Sequence, residues 1–226
     1  MKTITVDFVR HGQTIFNTMN KLQGWADSPL TKAGIATADQ AGQLLKNVTY
    51  QATYASDLKR AMDTAQHILQ PNAFTGELQT DTAFREVFFG SFEGLDNDES
   101  WQTVGQSLGC QTQAQIIQKY SFEAARDAMH QADPRQLSEN GLTFKRRVDA
   151  GLQRLLSRYA DQDRILVVTH GTFIRSLVLR FGPQFDVLSS FPANGGVTTL
   201  QLTTANPGFD GLVTRDCLKT KNSGII

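Results

Sequence analysis

Short apolar runs alternate with helical stripes along most of this chain. Ile4, Val6, Phe8 and Val9 form a run with strand character. A loop from Gly24 to Pro29 follows, and Thr31 is placed to cap a helix with Ala38, Ala41, Leu45 and Val48 on one face. ATYAS, from Ala52, predicts a second strand, after which Leu58, Ala61, Ala65 and Ile68 make another helical stripe, with Ser56 and Asp57 as its expected capping residues. Farther on, Phe144, Val148, Leu152, Leu155 and Tyr159 recur at helical spacing. Arg164-Ile-Leu-Val-Val-Thr-His170 is the most hydrophobic strand candidate and reads as a central strand covered on both faces. The segment GTFIRSLVLRFG, with Gly182 and Pro183 as its stop, follows as a helix. VTTLQLTT and FDGLVTRDCL, joined by Asn206-Pro207-Gly208, predict an antiparallel edge hairpin.

Alternation of this kind implies an α/β fold: a three-layer α/β/α sandwich around a mostly parallel central sheet, with an antiparallel edge. Residues 97–138 break the pattern. They read as helical, with Ile116, Ile117 and Tyr120 as apolar anchors and no strong strand, and so as a helical insertion or cap. The expected organisation is one domain over residues 1–226.

Composition narrows the function classes. With 22 basic and 22 acidic residues the formal charge is zero, which argues against a general nucleic-acid or membrane-surface binder and leaves room for a local cationic pocket. Cys110 and Cys217 fall in no metal-ligand or CxxC spacing and read as reduced thiols. Met1 and Lys2 lead directly into the first strand, no room is left for a leader, and no apolar run reaches the roughly 20 residues of a membrane span. A cytoplasmic protein is the expectation.

The candidate chemistry lies at two strand ends, VRHG up to Gly12 and VTHG up to Gly171. Ligands of open α/β sheets sit beyond the carboxyl ends of strands, so two parallel strands would bring His11 and His170 to one edge. The glycine after each histidine is expected to let the backbone turn and bring its amide to a ligand. His67 and His130 read as surface residues. Zinc sites need three or more suitably spaced ligands, and no HxxxH, HxH or CxxC is present, so metal-dependent hydrolysis is the minority reading. A neutral imidazole is a competent nucleophile, and guanidinium grips phosphoryl oxygens bidentately. Arg10 beside His11 therefore suggests a phosphohistidine intermediate.

RHGQTIFN (Arg10 to Asn17), QGWADSPLTKAG (Gln23 to Gly34), ASDLKRAMDTA (Ala55 to Ala65), FREVFFGSFEG (Phe84 to Gly94) and VTHG (Val168 to Gly171) together resemble the ordered motifs of the histidine phosphatase superfamily, most of all its phosphoglycerate mutase-like branch. The resemblance implies His11 as nucleophile, Arg10 and Arg60 as a phosphoryl clamp, His170 as stabiliser of the transferring group and Asn17 as a further donor. Arg60, in the first turn of its helix, would be aided by the helix dipole. Glu86 matches the general acid, its apolar neighbours Phe84, Val87, Phe88 and Phe89 favouring a protonated carboxyl by desolvation. Glu93 is the runner-up and reads as structural. Gln23 and Gly24 match positions that line the phosphate pocket.

The implied function is a phosphomonoester hydrolase that needs no metal or cofactor and acts on a small phosphorylated metabolite. A phosphoglycerate mutase is the alternative, and a non-catalytic phosphate-ligand binding module the second. Mutases of this family carry an arginine-rich segment after the position of Glu93. Here the segment is LDNDESWQT, with Asp96, Asp98, Glu99 and no base; Lys119, Arg126, Arg135 or Arg146 could bring charge from elsewhere in the fold.

Overall fold

The computed structural model describes residues 1–182, 185, 192–205 and 208–214. Among these, the strands are β1 (Thr3–Arg10), β2 (Ala52–Ala55), β3 (Leu78–Thr80), β4 (Arg164–Thr169), β5 (Val197–Thr204) and β6 (Phe209–Thr214). The helices are α1 (Ile15–Thr18), α2 (Lys32–Leu45), α3 (Lys59–Leu69), α4 (Asn97–Gly105), α5 (Gln113–Lys119), α6 (Phe122–Ala132), α7 (Gly141–Arg158) and α8 (Gly171–Phe181). The strands form one six-stranded sheet in the order β3-β2-β4-β1-β5-β6. The first four are mutually parallel, and β5 and β6 close the edge antiparallel.

The period-two pattern of β1 divides its side chains between two cores. Ile4, Val6 and Phe8 join Ile165 and Val167 of β4 in a large core under α7 and α8, which extends into α4, α5 and α6. Val9 joins Leu166 and Val168 in a smaller core closed by Ala41 and Leu45 of α2 and Ala61, Ala65 and Ile68 of α3. β4 is therefore covered on both faces, as its continuous apolar run requires. The expected sandwich and its antiparallel edge are present; Arg215–Leu218 of the second hairpin segment, Asn206, Pro207, Pro183 and Cys217 lie outside the described residues.

Several local expectations are corrected. β3 is absent from the sequence expectation: it is three residues at the sheet edge, of which only Leu78 packs against the smaller core, too few to show an apolar alternation. α2 ends before Val48, and Tyr159 stands just past α7, where its hydroxyl meets that of Tyr54 at 2.6 Å. In the helical stretch Ile116 and Ile117 are buried, whereas Tyr120 caps α5 and is half exposed. Leu58, not Ser56 or Asp57, occupies the N-cap of α3, and it makes no side-chain cap bond. Ser56 and Asp57 are drawn off by long-range partners, His170 and Arg85. Thr31 caps α2 as expected, accepting from the Gly34 N–H. No helix of the described residues is long and apolar enough to cross a membrane.

Candidate active site

β1 and β4 run parallel with Arg10 opposite Thr169, so their carboxyl ends deliver His11 and His170 to one edge of the sheet. The two imidazole centroids are 5.2 Å apart. His11 is anchored through its backbone: its N–H donates to Thr169 O, and its carbonyl accepts from Asn194 Nδ2. Its ring Nδ1 lies 2.8 Å from the Gly12 carbonyl. A carbonyl only accepts, so Nδ1 carries the proton and Nε2 keeps its lone pair. The expected role of Gly12 is corrected: its N–H donates to Thr64 Oγ1 at 3.0 Å rather than to a ligand. A Cβ there would stand 2.3 Å from the Gly34 carbonyl oxygen, so glycine is required by the close approach of α2.

His170 is fully buried, its Nε2 is 2.6 Å from Ser56 Oγ, and its Nδ1 has no hydrogen-bond partner. Burial, and then the positive charge of Arg60, hold both imidazoles well below their ordinary value of 6.5. Both are therefore neutral near neutral pH. The unfolded chain recovers the ordinary value, so below about 6.5 it binds more protons than the folded one. This contribution to stability is full above that pH and is lost as pH falls below it, by about 1.4 kcal/mol per pH unit for each histidine. The urea midpoint is expected to fall steadily from pH 7 to pH 5.5, and His170→Asn to flatten the slope; an unchanging midpoint in the parent protein would contradict two buried neutral imidazoles.

Two arginines flank the pair, in different states of engagement. Arg10 lines the site, its Nη1 donating to the Pro192 carbonyl at 2.7 Å. Burial lowers it to about 10, so it remains a cation at neutral pH. Arg60 is almost wholly buried, and its Nη groups are held by the 23–27 loop: Nη1 by Ala26 O and Asp27 Oδ1, both at 3.0 Å, and Nη2 by Gly24 O at 2.7 Å. Only Nε has no partner. The first turn of α3 is also not open to an anion, because Asp27 accepts the Arg60 backbone N–H. Arg60 thus stands behind His11 as a charge, with Nε its unspent donor.

Glu93 organises that loop. Its two oxygens accept from the N–H groups of Gly24, Trp25, Ala26 and Phe89 at 2.9 to 3.0 Å, a structural role. Gly24 is accordingly not a pocket residue. Its N–H belongs to Glu93, and a Cβ would stand 2.1 Å from the Val87 carbonyl oxygen. Gln23 does line the cavity, held by Thr14 and Ser28.

Glu86 sits across the site, but not as a dry carboxyl. Its oxygens accept from the N–H groups of Thr172 (2.8 Å), Phe173 (3.1 Å) and Val87 (3.0 Å). His170, at the N-cap of α8, makes no side-chain cap bond, and Glu86 fills that role from another loop. Hydrogen bonding thereby compensates its burial, in place of the desolvation expected from the aromatic neighbours. The Glu86 carbonyl is fixed in turn by Trp25 Nε1 and Arg147 Nη2, both at 3.0 Å. Asn17 closes the near wall: its Oδ1 accepts from the Thr14 N–H, leaving its Nδ2 to donate.

A cavity of about 430 Å³ opens between these groups, lined on its inner side by Arg10, His11, Asn17, Gln23, Glu86 and Thr172. Arg60 and His170 back it. Another cleft of about 430 Å³, between α5, α6, α7 and α8, contains none of them. His67 and His130 are partly exposed, hydrogen-bonded to Asp39 and to the Ser138 carbonyl. Among the described residues no group of three or more His, Cys, Asp or Glu could share a metal ion. Sequence reading missed Ser56, Thr64, Asp27, Arg147 and Asn194; each acts through a partner distant in sequence, and only Ser56, Asp27 and Thr64 fall within quoted motifs.

Comparison with known proteins agrees with this geometry. The profile of the histidine phosphatase superfamily (branch 1) matches residues 6–212. A 2,3-bisphosphoglycerate-dependent phosphoglycerate mutase of Buchnera aphidicola subsp. Schizaphis graminum is 30% identical over 92% of this chain and 93% of its own. Among solved structures, phosphoglycerate mutase from Bacillus anthracis superposes with a TM-score of 0.81 at 30% identity, covering 96% of this chain and 93% of that one. Bacillus stearothermophilus YhfR gives 0.68 at 27% identity, covering 91% and 94%. With a neutral histidine at each of two parallel strand ends and a family match that spans nearly the whole sheet, the chain belongs to the histidine phosphatase superfamily, branch 1.

Proposed function

We propose that this protein is a cytoplasmic phosphomonoester hydrolase that acts on a small phosphorylated metabolite by double displacement through His11. The observation that carries the reading is the lock of His11 Nδ1–H on the Gly12 carbonyl, which leaves Nε2 as the nucleophilic atom. In the first half-reaction Nε2 attacks phosphorus as the ester oxygen departs, and Glu86 gives that oxygen its proton. Arg10 and the charge of Arg60 offset the phosphoryl oxygens, and His170 offers Nδ1, the buried atom with no protein partner. In the second half-reaction Glu86 takes a proton from water, the water oxygen bonds to phosphorus, and the N–P bond breaks to restore His11.

A mutase is the second reading, and the names of the relatives favour it. What opposes it is the outer wall of the cavity. A bisphosphorylated acid would need further cations there, yet among the described lining residues the only cation beyond Arg10 is Lys21, which faces Asp96 at 3.9 Å. Arg126 is buried behind Phe89 and Trp101. With 3-phosphoglycerate and 2,3-bisphosphoglycerate followed by phosphorus NMR, inorganic phosphate is expected to accumulate faster than 2-phosphoglycerate; the reverse order would make the protein a mutase. Absence of both, with no turnover of p-nitrophenyl phosphate, would leave the binding-module reading.

A further inference from the structure

Resting on the hydrolase reading, we infer that the released group is an uncharged, hydroxyl-bearing skeleton, so that the substrate is a sugar or polyol monophosphate rather than a phosphorylated carboxylic acid. The outer cavity is walled by carboxamides, and their orientation follows from their partners. Asp98 accepts from Asn20 Nδ2 at 2.9 Å through one oxygen and from Asn97 Nδ2 at 3.1 Å through the other. A carboxylate without a proton only accepts, so both amide nitrogens face Asp98 and both Oδ1 atoms remain as acceptors. Arg175 Nη1 donates to Gln113 Oε1 at 2.8 Å, which fixes that amide the other way and leaves Nε2 as a donor. Asn20, Asn97 and Gln113 all line the cavity.

These groups are held before any ligand arrives. Asn20 adopts a left-handed backbone (φ 51°), which asparagine tolerates, and its carbonyl accepts the Asn97 N–H at 2.8 Å. Asp96 caps α4 through the Asp98 and Glu99 N–H groups, setting Asn97 at the start of the helix. These residues therefore keep the two Oδ1 acceptors and, from their NH₂ groups, further N–H donors, all neutral, with both asparagines bonded to the exposed carboxylate of Asp98. A hydroxyl both donates and accepts and can pair with either kind of group. A carboxylate or a second phosphoryl group brings acceptors and negative charge alone, leaves both Oδ1 acceptors without a donor, and meets the negative charge of Asp98. Lys21 faces Asp96 and Arg175 holds Gln113, while Arg126, whose guanidinium nitrogens have no hydrogen-bond partner, is fully buried beneath the Trp101 ring, which lines the cavity. The rings of Trp101 and Phe89 add apolar surface of the kind that packs on the C–H face of a sugar.

The test is a comparison of kcat/KM for p-nitrophenyl phosphate, 3-phosphoglycerate, glycerol 3-phosphate, ribose 5-phosphate and glucose 6-phosphate, in the parent protein and in Asn97→Leu. At least one of the sugar or polyol esters is expected to exceed 3-phosphoglycerate by about tenfold or more, since the carboxylate of the acid cannot donate to the Oδ1 acceptors. Asn97→Leu is expected to lower kcat/KM for that ester about tenfold more than for p-nitrophenyl phosphate, whose leaving group has no hydroxyl to place. A preference for 3-phosphoglycerate, or equal losses in Asn97→Leu with an unchanged melting temperature, would overturn the inference and leave the hydrolase standing. No phosphate release from any ester, p-nitrophenyl phosphate included, would overturn the hydrolase reading and this inference with it.

Discussion

His11→Ala is expected to abolish turnover, by roughly 10⁴-fold or more, together with every trace of acid-labile phosphate on the protein. The size of the effect follows from the absence of a substitute. His170 is the only other imidazole at the site, and its Nε2 is engaged by Ser56 while the ring is fully buried. Alanine at position 11 removes the side chain but keeps the backbone bonds to Thr169 and Asn194, so the strand end should stay in place. The measurement is rapid-quench labelling with a phosphorus-labelled monoester, resolved under alkaline conditions that preserve phosphohistidine. Label that persists in His11→Ala at the level of the parent protein would move the nucleophile elsewhere.

Glu86→Gln is expected to separate leaving groups by their need for a proton. Loss of a general acid costs roughly 10²- to 10⁴-fold, and that loss should fall on alkyl phosphates, whose alkoxide is a poor leaving group. p-Nitrophenolate departs without a proton, so its ester should be slowed far less. The substitution has a second consequence read from the structure. One carboxylate oxygen accepts from Thr172 and the other from Phe173 and Val87, and a glutamine must turn its NH₂ toward one of these N–H groups. Two donors then face each other at the start of α8, at a stability cost of about 1 to 3 kcal/mol. A lowered melting temperature with unequal kinetic losses would agree with both roles of Glu86. Equal losses on both esters would remove it as the acid, and Glu93 is no replacement, since its oxygens hold four backbone N–H groups.

The placement of Glu86 illustrates how sequence and structure divide the problem. Its candidacy came from a motif, and the structure does place it across from His11. Its surroundings came out differently from what the neighbouring phenylalanines implied. Side chains adjacent in sequence diverge in direction, so Phe84 entered the large core while the carboxylate met the N-terminus of a helix that lies more than 80 residues later. Arg60 repeats the lesson. Its motif was legible, but the capture of its Nη groups by Asp27 and the 23–27 loop depends on a contact across 33 to 36 positions. Substrate selection depends on the same kind of contact. LDNDESWQT reads as an acidic stretch lacking cations, yet it takes Asn20, 78 positions before Asp98, to tie that carboxylate to a carboxamide residue of the cavity wall.

By itself the sequence determined the alternation of strands and helices, the two histidines at strand ends and the arginine beside the first. Each of these is carried by local periodicity or by adjacent residues, which the backbone geometry of a strand or helix turns directly into position. Tertiary structure alone decided which hydrogen-bonding groups were left over. Ser56 was spent on His170 across 114 positions and so could not cap α3, Glu93 was spent on its loop, and Gly12 was shaped by Gly34 and not by a ligand. A buried polar group must find a partner wherever the fold brings one. The unspent atoms, His11 Nε2, His170 Nδ1 and the carboxamide oxygens of Asn20 and Asn97, are therefore a property of the packed chain and of no segment within it.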